Sequence, residues 1–170
     1  RPTMGAPVGT LFYTARVEGI ADLAGLTSTL MGDSEYMDKL RGGMHLVAAP
    51  AMDSLATPLY GELGDPPPVG SYAGITSAVI ANGQYRAALA WGVEMAQHVE
   101  SVTGNRGMFL SNRYGEFGGV TWISGAADAA AADAARAAVD ADDSYLDRLN
   151  DVGTLFLPGS GQQGLVNRIA

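Results

Sequence analysis

A chain of 170 residues with 47% hydrophobic content is long enough to bury a real core as one ordinary domain or two small ones. Asp and Glu outnumber Lys and Arg by 18 to 10, for a formal charge of −8. That balance repels phosphate backbones, and the scattered cations form no stripe for nucleic acid or an anionic membrane surface. The absence of cysteine removes disulfides, thiolate metal sites and thiol nucleophiles. Every apolar run is broken well short of the roughly 18 residues a membrane span needs, and no basic-then-apolar leader opens the chain. The expected location is therefore cytoplasmic. The chain starts at Arg1 and its first methionine is Met4, so the start is expected to be a tag remnant, a processed end or a truncation.

In chain order, Thr10 to Val17 (TLFYTARV) is rich in aromatic and β-branched residues and predicts a strand. A helical stretch from Gly19 to Leu40 follows, then a strand over Met44 to Ala48 (MHLVA), ended by Pro50. The segment 61–70, GELGDPPPVG, is a stiff spacer. Ser71 to Ile80 predicts a strand. Tyr85, Leu89, Gly92, Met95, Ala96 and Val99 recur at helical spacing, so an amphipathic helix runs from Gln84 to Ser101 and stops at Gly104. Gly107 to Asn112 and Gly119 to Ile123 read as strands joined by a hairpin over Tyr114 to Gly118. Ala126 to Val139 is an alanine-rich helix with a thin apolar face, and Gly153 to Leu157 (GTLFL), followed by Pro158, predicts a last strand.

Two stretches of this chain resemble each other. Gly19 and Asp22 match Gly125 and Asp128, and after a three-residue insertion Asp33, Tyr36, Asp38 and Leu40 match Asp142, Tyr145, Asp147 and Leu149. Because the D-x-x-Y ending is not alanine-rich, the match reads as duplication, with Tyr36 and Tyr145 expected in equivalent places near helix ends, packed back on their own sheets. The organisation expected is a half ferredoxin-like unit (β-α-β) over 1–62, a Pro-rich linker over 63–69, and a complete β-α-β-β-α-β unit over 70–170.

The segment GEFGGVTWISGAADAAAADAARAAVDADDSYLDRLNDVGTLFLPGS resembles the C-terminal part of NIPSNAP-like members of the dimeric α+β barrel superfamily. The resemblance rests on Trp122 in a strand, on Asp142 to Tyr145 at a helix end, and on Pro158, Gly159 and Ser160; HVESVTGNRGMFL resembles that family's first helix leading to its second strand. It implies an α+β fold of one and a half ferredoxin-like units, packed sheet to sheet within one chain or between chains around an apolar interior. The superfamily includes cofactor-free monooxygenases, haem-degrading and haem-peroxidising enzymes, isomerases and members without known activity. No haem-ligand or catalytic pattern of those enzymes is matched residue by residue.

Among single residues, His98 shares a helix face with Trp91 and Met95 and is the candidate general base or axial ligand; the plainer reading is a partly exposed helix histidine beside Gln97 and Glu100. His45 has no third ligand at metal spacing, so no metal site is expected, and no cofactor either. Tyr13, Tyr72, Tyr114, Trp91 and Trp122 suit stacking on a flat ligand, with Arg16 or Arg113 to hold a carboxylate or enolate, or else serve as core. The TGNRG segment at 103–107 follows a helix and lacks lysine, so it reads as a helix stop. The Asp142-Asp143 and Asp147-Asp151 pairs read as solvated charge, and Ser160 lacks the nucleophile-elbow context.

The resulting expectation is a binding site for a small apolar ligand lined by Tyr72, Trp91, His98, Asn112 and Trp122, used for cofactor-independent oxygenation or isomerisation of a planar organic molecule. The alternative is a non-catalytic assembly subunit. Either way the chain is expected to form a homodimer or larger oligomer.

Overall fold

The computed structural model describes residues 1–7, 9–62 and 64–170, which divide into two compact units, Arg1–Phe12 with Ser54–Ala170, and Tyr13–Asp53. Leu63, the first residue of the expected linker, lies outside the described residues. None of the helices described is long and apolar enough to cross a membrane.

The larger unit is α+β, with strands β1 (Pro2–Met4), β2 (Leu55–Tyr60), β3 (Tyr72–Val79), β4 (Gly107–Tyr114), β5 (Gly119–Ala126) and β6 (Gln162–Asn167). The smaller holds α1 (Ile20–Gly32) and α2 (Ser34–Gly43); α3 (Tyr85–Thr103), α4 (Ala129–Asp140) and α5 (Asp143–Asn150) belong to the larger. The sheet order is β1-β6-β3-β5-β4-β2, with every neighbouring pair antiparallel. Within it, β3-α3-β4-β5-α4-β6 is the β-α-β-β-α-β order read from the C-terminal hundred residues.

Three strands are not where the sequence placed them. Residues 10–17 form no strand, with Tyr13 88% exposed: their composition favours a pleated surface, but a strand exists only where a neighbour completes its ladder. Met44–Leu46 is a 3-10 turn that continues helical backbone through Gly43. The 153–157 run is a turn with one isolated bridge, Ile80 to Phe156, and the sheet closes instead on Gln162–Asn167, a run without strong β pattern. Pro58 masks β2 in the sequence, and it is tolerated because β2 is an edge strand.

In the smaller unit, α1 begins where the Asp22 carboxylate accepts the Glu18 N–H at 3.0 Å. Asp33 then adopts extended backbone, which ends α1, and caps α2 by accepting from the N–H groups of Glu35 and Tyr36. Asp142 does the same between α4 and α5, accepting from the Tyr145 N–H at 2.6 Å. The D-x-x-Y motif thus starts a second short helix in each unit instead of closing the first. Tyr145 packs in its unit's sheet-and-helix body, whereas the unit holding Tyr36 has no strand among its described residues.

The core of the larger unit lies between α3 and β4-β5, on Ala88, Ala96, Phe109, Val120 and Ile80. Phe109 is wholly buried and stacks on Trp122 with centroids 4.8 Å apart. The Trp122 indole N–H donates to the Gly92 carbonyl at 2.8 Å, a bond worth about 1 kcal/mol net. Such close approach requires glycine, since a Cβ at residue 92 would meet the Phe109 ring at 2.2 Å. Gly92→Ala is expected to cost about 1–3 kcal/mol through overpacking, read as a lower urea midpoint with unchanged slope; an unchanged midpoint would show that the helix lifts without cost.

Candidate functional site

Side chains directly opposite across an antiparallel ladder share a face. On the helix side one row runs Gln163, Thr76, Trp122, Phe109 across β6, β3, β5 and β4, and the next runs Leu165, Gly74, Ser124, Gly107. The second row is low because two of its four positions are glycine. Above it α4 presents the small side chains of Ala132 and Ala135. Between them lies a cavity of about 510 Å³, walled by Trp91, Met95 and Val99 of α3, Val139 of α4, and Tyr145 and Leu149 of α5.

Trp91 stands edge-on to Trp122 at 5.9 Å, and Phe156 packs against both at 5.6 and 5.7 Å. Thr76, Ser124 and Gln163 bring uncharged polar groups to the floor, with Thr103 and Asn105 at the end of α3. The charged lining groups are Asp133 and Arg136, and the Arg136 guanidinium is held by Asp140 through Nε at 2.9 Å and Nη2 at 2.6 Å. Burial pushes the Tyr145 phenol above its ordinary value; the Arg136 charge opposes this and that of Asp140 adds to it. Among the described residues no group of three His, Asp or Glu side chains converges as a metal site would require.

Of the residues singled out in the sequence, Trp91 and Trp122 meet in this cavity. His98 turns away from it: its Nε2 lies 2.8 Å from Asp142 Oδ1, in a half-buried pair that ties α3 to the start of α5. Asn112 lies in a separate hairpin cleft of about 350 Å³ with Tyr85, Arg113 and Phe117, its amide donating to the Glu116 carbonyl at 3.3 Å. Tyr72 sits opposite Asn167 and Ala126, outside the cavity lining. His45 belongs to the smaller unit. Thr76, Ser124, Gln163 and Tyr145 were missed as lining residues, because their facing depends on strand pairings that no local pattern reveals. A second tie crosses the layers, with the Tyr60 hydroxyl donating to Glu100 at 3.2 Å while the Gly107 N–H donates to the same oxygen at 3.0 Å. Burial, then that carboxylate, raises the Tyr60 phenol.

No protein-family model matches the chain, and no curated protein does. Among solved structures it is similar to two proteins named "putative monooxygenase". For the one from Fusobacterium nucleatum the identity is 8% and the TM-score 0.56, over 88% of this chain and 66% of the other. For the one from Lactobacillus acidophilus the identity is 12% and the TM-score 0.50, over 86% and 69%. It is also similar to a NIPSNAP family protein from Agrobacterium tumefaciens, at 14% identity and TM-score 0.47, over 56% of this chain and 90% of that one. This chain therefore spans about two thirds of each of the first two, and at such identities the likeness is one of fold.

The Asp142 carboxylate is held below its ordinary range by the His98 hydrogen bond first and the Tyr145 N–H second. A depressed carboxylate stabilises the fold above its unfolded value, and that contribution is lost as pH falls through the folded one. Asp142→Asn is therefore expected to be less stable than the parent near pH 6, with the gap closing below about pH 4. Urea unfolding at a series of pH values measures this, and a gap constant with pH would assign the effect to capping alone.

Proposed function

We propose that this chain binds a planar, mostly apolar organic molecule in the cavity between α3, α4 and the sheet. The chemistry such a site fits is oxygenation or isomerisation driven by the substrate's own electrons. The observation that carries the reading is an apolar cavity walled by two tryptophans, with a few uncharged polar groups on its floor, the usual make-up of a small-molecule site. The fold shared with the two "putative monooxygenase" proteins supports it. In oxygenation of that kind a ring-activated CH2 group loses a proton and gives electrons to O2. The balance is CH2 plus O2 to C=O plus H2O, with the substrate as sole reductant. The protein's part is to hold the rings flat, exclude water and orient the reacting carbon.

Both tryptophans of the chain line this cavity, so intrinsic fluorescence reads its occupancy. Titration with 9-fluorenone, corrected for ligand absorbance, is expected to quench emission saturably, and Trp91→Ala to weaken binding between about threefold and tenfold. Quenching that rises without saturation would overturn the reading.

A second reading, assembly of copies through sheet faces, is favoured by the other side of the sheet. The helices α3, α4 and α5 take one face, and the opposite face carries Ile75, Ile123 and Met108 in one cross-strand row, with Val79, Leu110 and Val166 beside it. All of these are partly exposed. Apolar area of this kind favours a partner. The protein is expected to sediment above its 17.5 kDa chain mass, and Ile123→Glu to shift it toward that mass. A monodisperse single-chain species of the parent at micromolar concentration would remove this reading.

A further inference from the structure

The cavity floor is polar where a packed core would be apolar. Thr76 is central on β3, directly opposite Gln163 on one side and Trp122 on the other. The Gln163 amide donates to the Thr76 hydroxyl at 3.4 Å, a long bond that leaves both groups with capacity to spare. Ser124 follows on β5, one row along, opposite Gly74. All three line the cavity. Thr76 and Ser124 are partly buried while Gln163 is exposed at the cavity edge; partly covered polar side chains cost free energy unless they find partners, and the small Gly74, Ala132 and Ala135 leave open space beside them. A ligand seated against the tryptophans lies over this row.

Resting on the binding reading above, we infer that Thr76, Ser124 and Gln163 form a recognition row for a neutral carbonyl or hydroxyl group on the edge of a flat ring ligand. The charge pattern does not favour the obvious alternative, a carboxylate anchor. Arg136, the cation of the lining, is held at two points by Asp140, and Asp133 adds negative charge beside it. The row can both donate and accept, as threonine and serine hydroxyls and the glutamine amide do. It therefore distinguishes a ring bearing an oxygen from the same ring without one, since the bare ring covers Thr76 and Ser124 without giving them a partner.

Equilibrium dialysis of the whole chain against 9-fluorenone, fluorene and fluorene-9-carboxylate tests this, because the three share one carbon frame. The parent is expected to bind fluorenone roughly tenfold tighter than fluorene and the carboxylate no better than fluorene. Thr76→Val, which keeps the side-chain shape, and Ser124→Ala are each expected to bring the fluorenone-to-fluorene ratio toward one, by weakening fluorenone binding, strengthening fluorene binding, or both. Equal binding of fluorenone and fluorene by the parent, an unchanged ratio in both variants, or preference for the carboxylate would each overturn the recognition row while leaving the cavity reading intact. Binding of none of the three would overturn the cavity reading, and the inference with it.

Discussion

The contact between Gly92 and the Phe109–Trp122 stack sets the spacing of the larger unit. A helix carbonyl and an indole N–H can meet at 2.8 Å only because residue 92 has no side chain, so α3 is pinned to β4 and β5 at one height. The other helix has no such anchor. α4 meets β3 and β5 through small side chains, above a floor with glycine at two of its four positions, and open space remains beside that contact. Core and cavity are thus two outcomes of one constraint: bulky side chains fill the space under α3, small ones fail to fill it under α4. The aromatic cluster of Trp91, Trp122, Phe109 and Phe156, whose pairs contribute about 0.5–1.5 kcal/mol each beyond burial, lies where the filled and unfilled regions meet.

Much of the larger unit was legible because its elements carry their own pattern. The spacing of Leu89, Gly92, Met95 and Val99 reads as a helix in any context, and Gly107 to Ile123 reads as a hairpin from its turn and flanking alternation. The strands misplaced were those whose identity depends on a neighbour. Thr10 to Val17 has the stronger β composition, yet Gln162–Asn167 is the strand, because β3 offers it a complete ladder. The site divides along the same line. Trp91 and Trp122 announce themselves by size, whereas Thr76 looks like an ordinary strand polar, and Ser124 and Gln163 fall outside the expected strands, until pairing shows that all three lie on the helix side of the sheet. His98 misled for a local reason: its helix face includes Trp91, but a single step round the helix from Val99 turns its ring toward Asp142.

The two aspartate caps show how one local motif is used the same way in both units, and not as the helix end that its sequence suggests. Asp33 and Asp142 each end one helix by leaving helical backbone and start the next by accepting its first free N–H groups. The same four-residue solution therefore produces a helix pair in each unit. In the larger unit the cap does more, since the carboxylate that holds the Tyr145 N–H also takes His98, fixing the α5 wall of the cavity to the helix that carries Trp91.

Because the cavity consists of side chains that are absent, its shape lies within reach of very small genetic change. A Cβ on Gly74 would meet nothing nearer than the Ser124 carbonyl at 3.9 Å. One added methyl at the floor, or a larger residue at Ala132 or Ala135, reshapes the space while the strands and the pinned helix stay where they are. Such a scaffold separates the residues that selection must hold for folding from those it can vary for ligand choice, and lineages carrying it can diverge in what they bind without first losing the ability to fold.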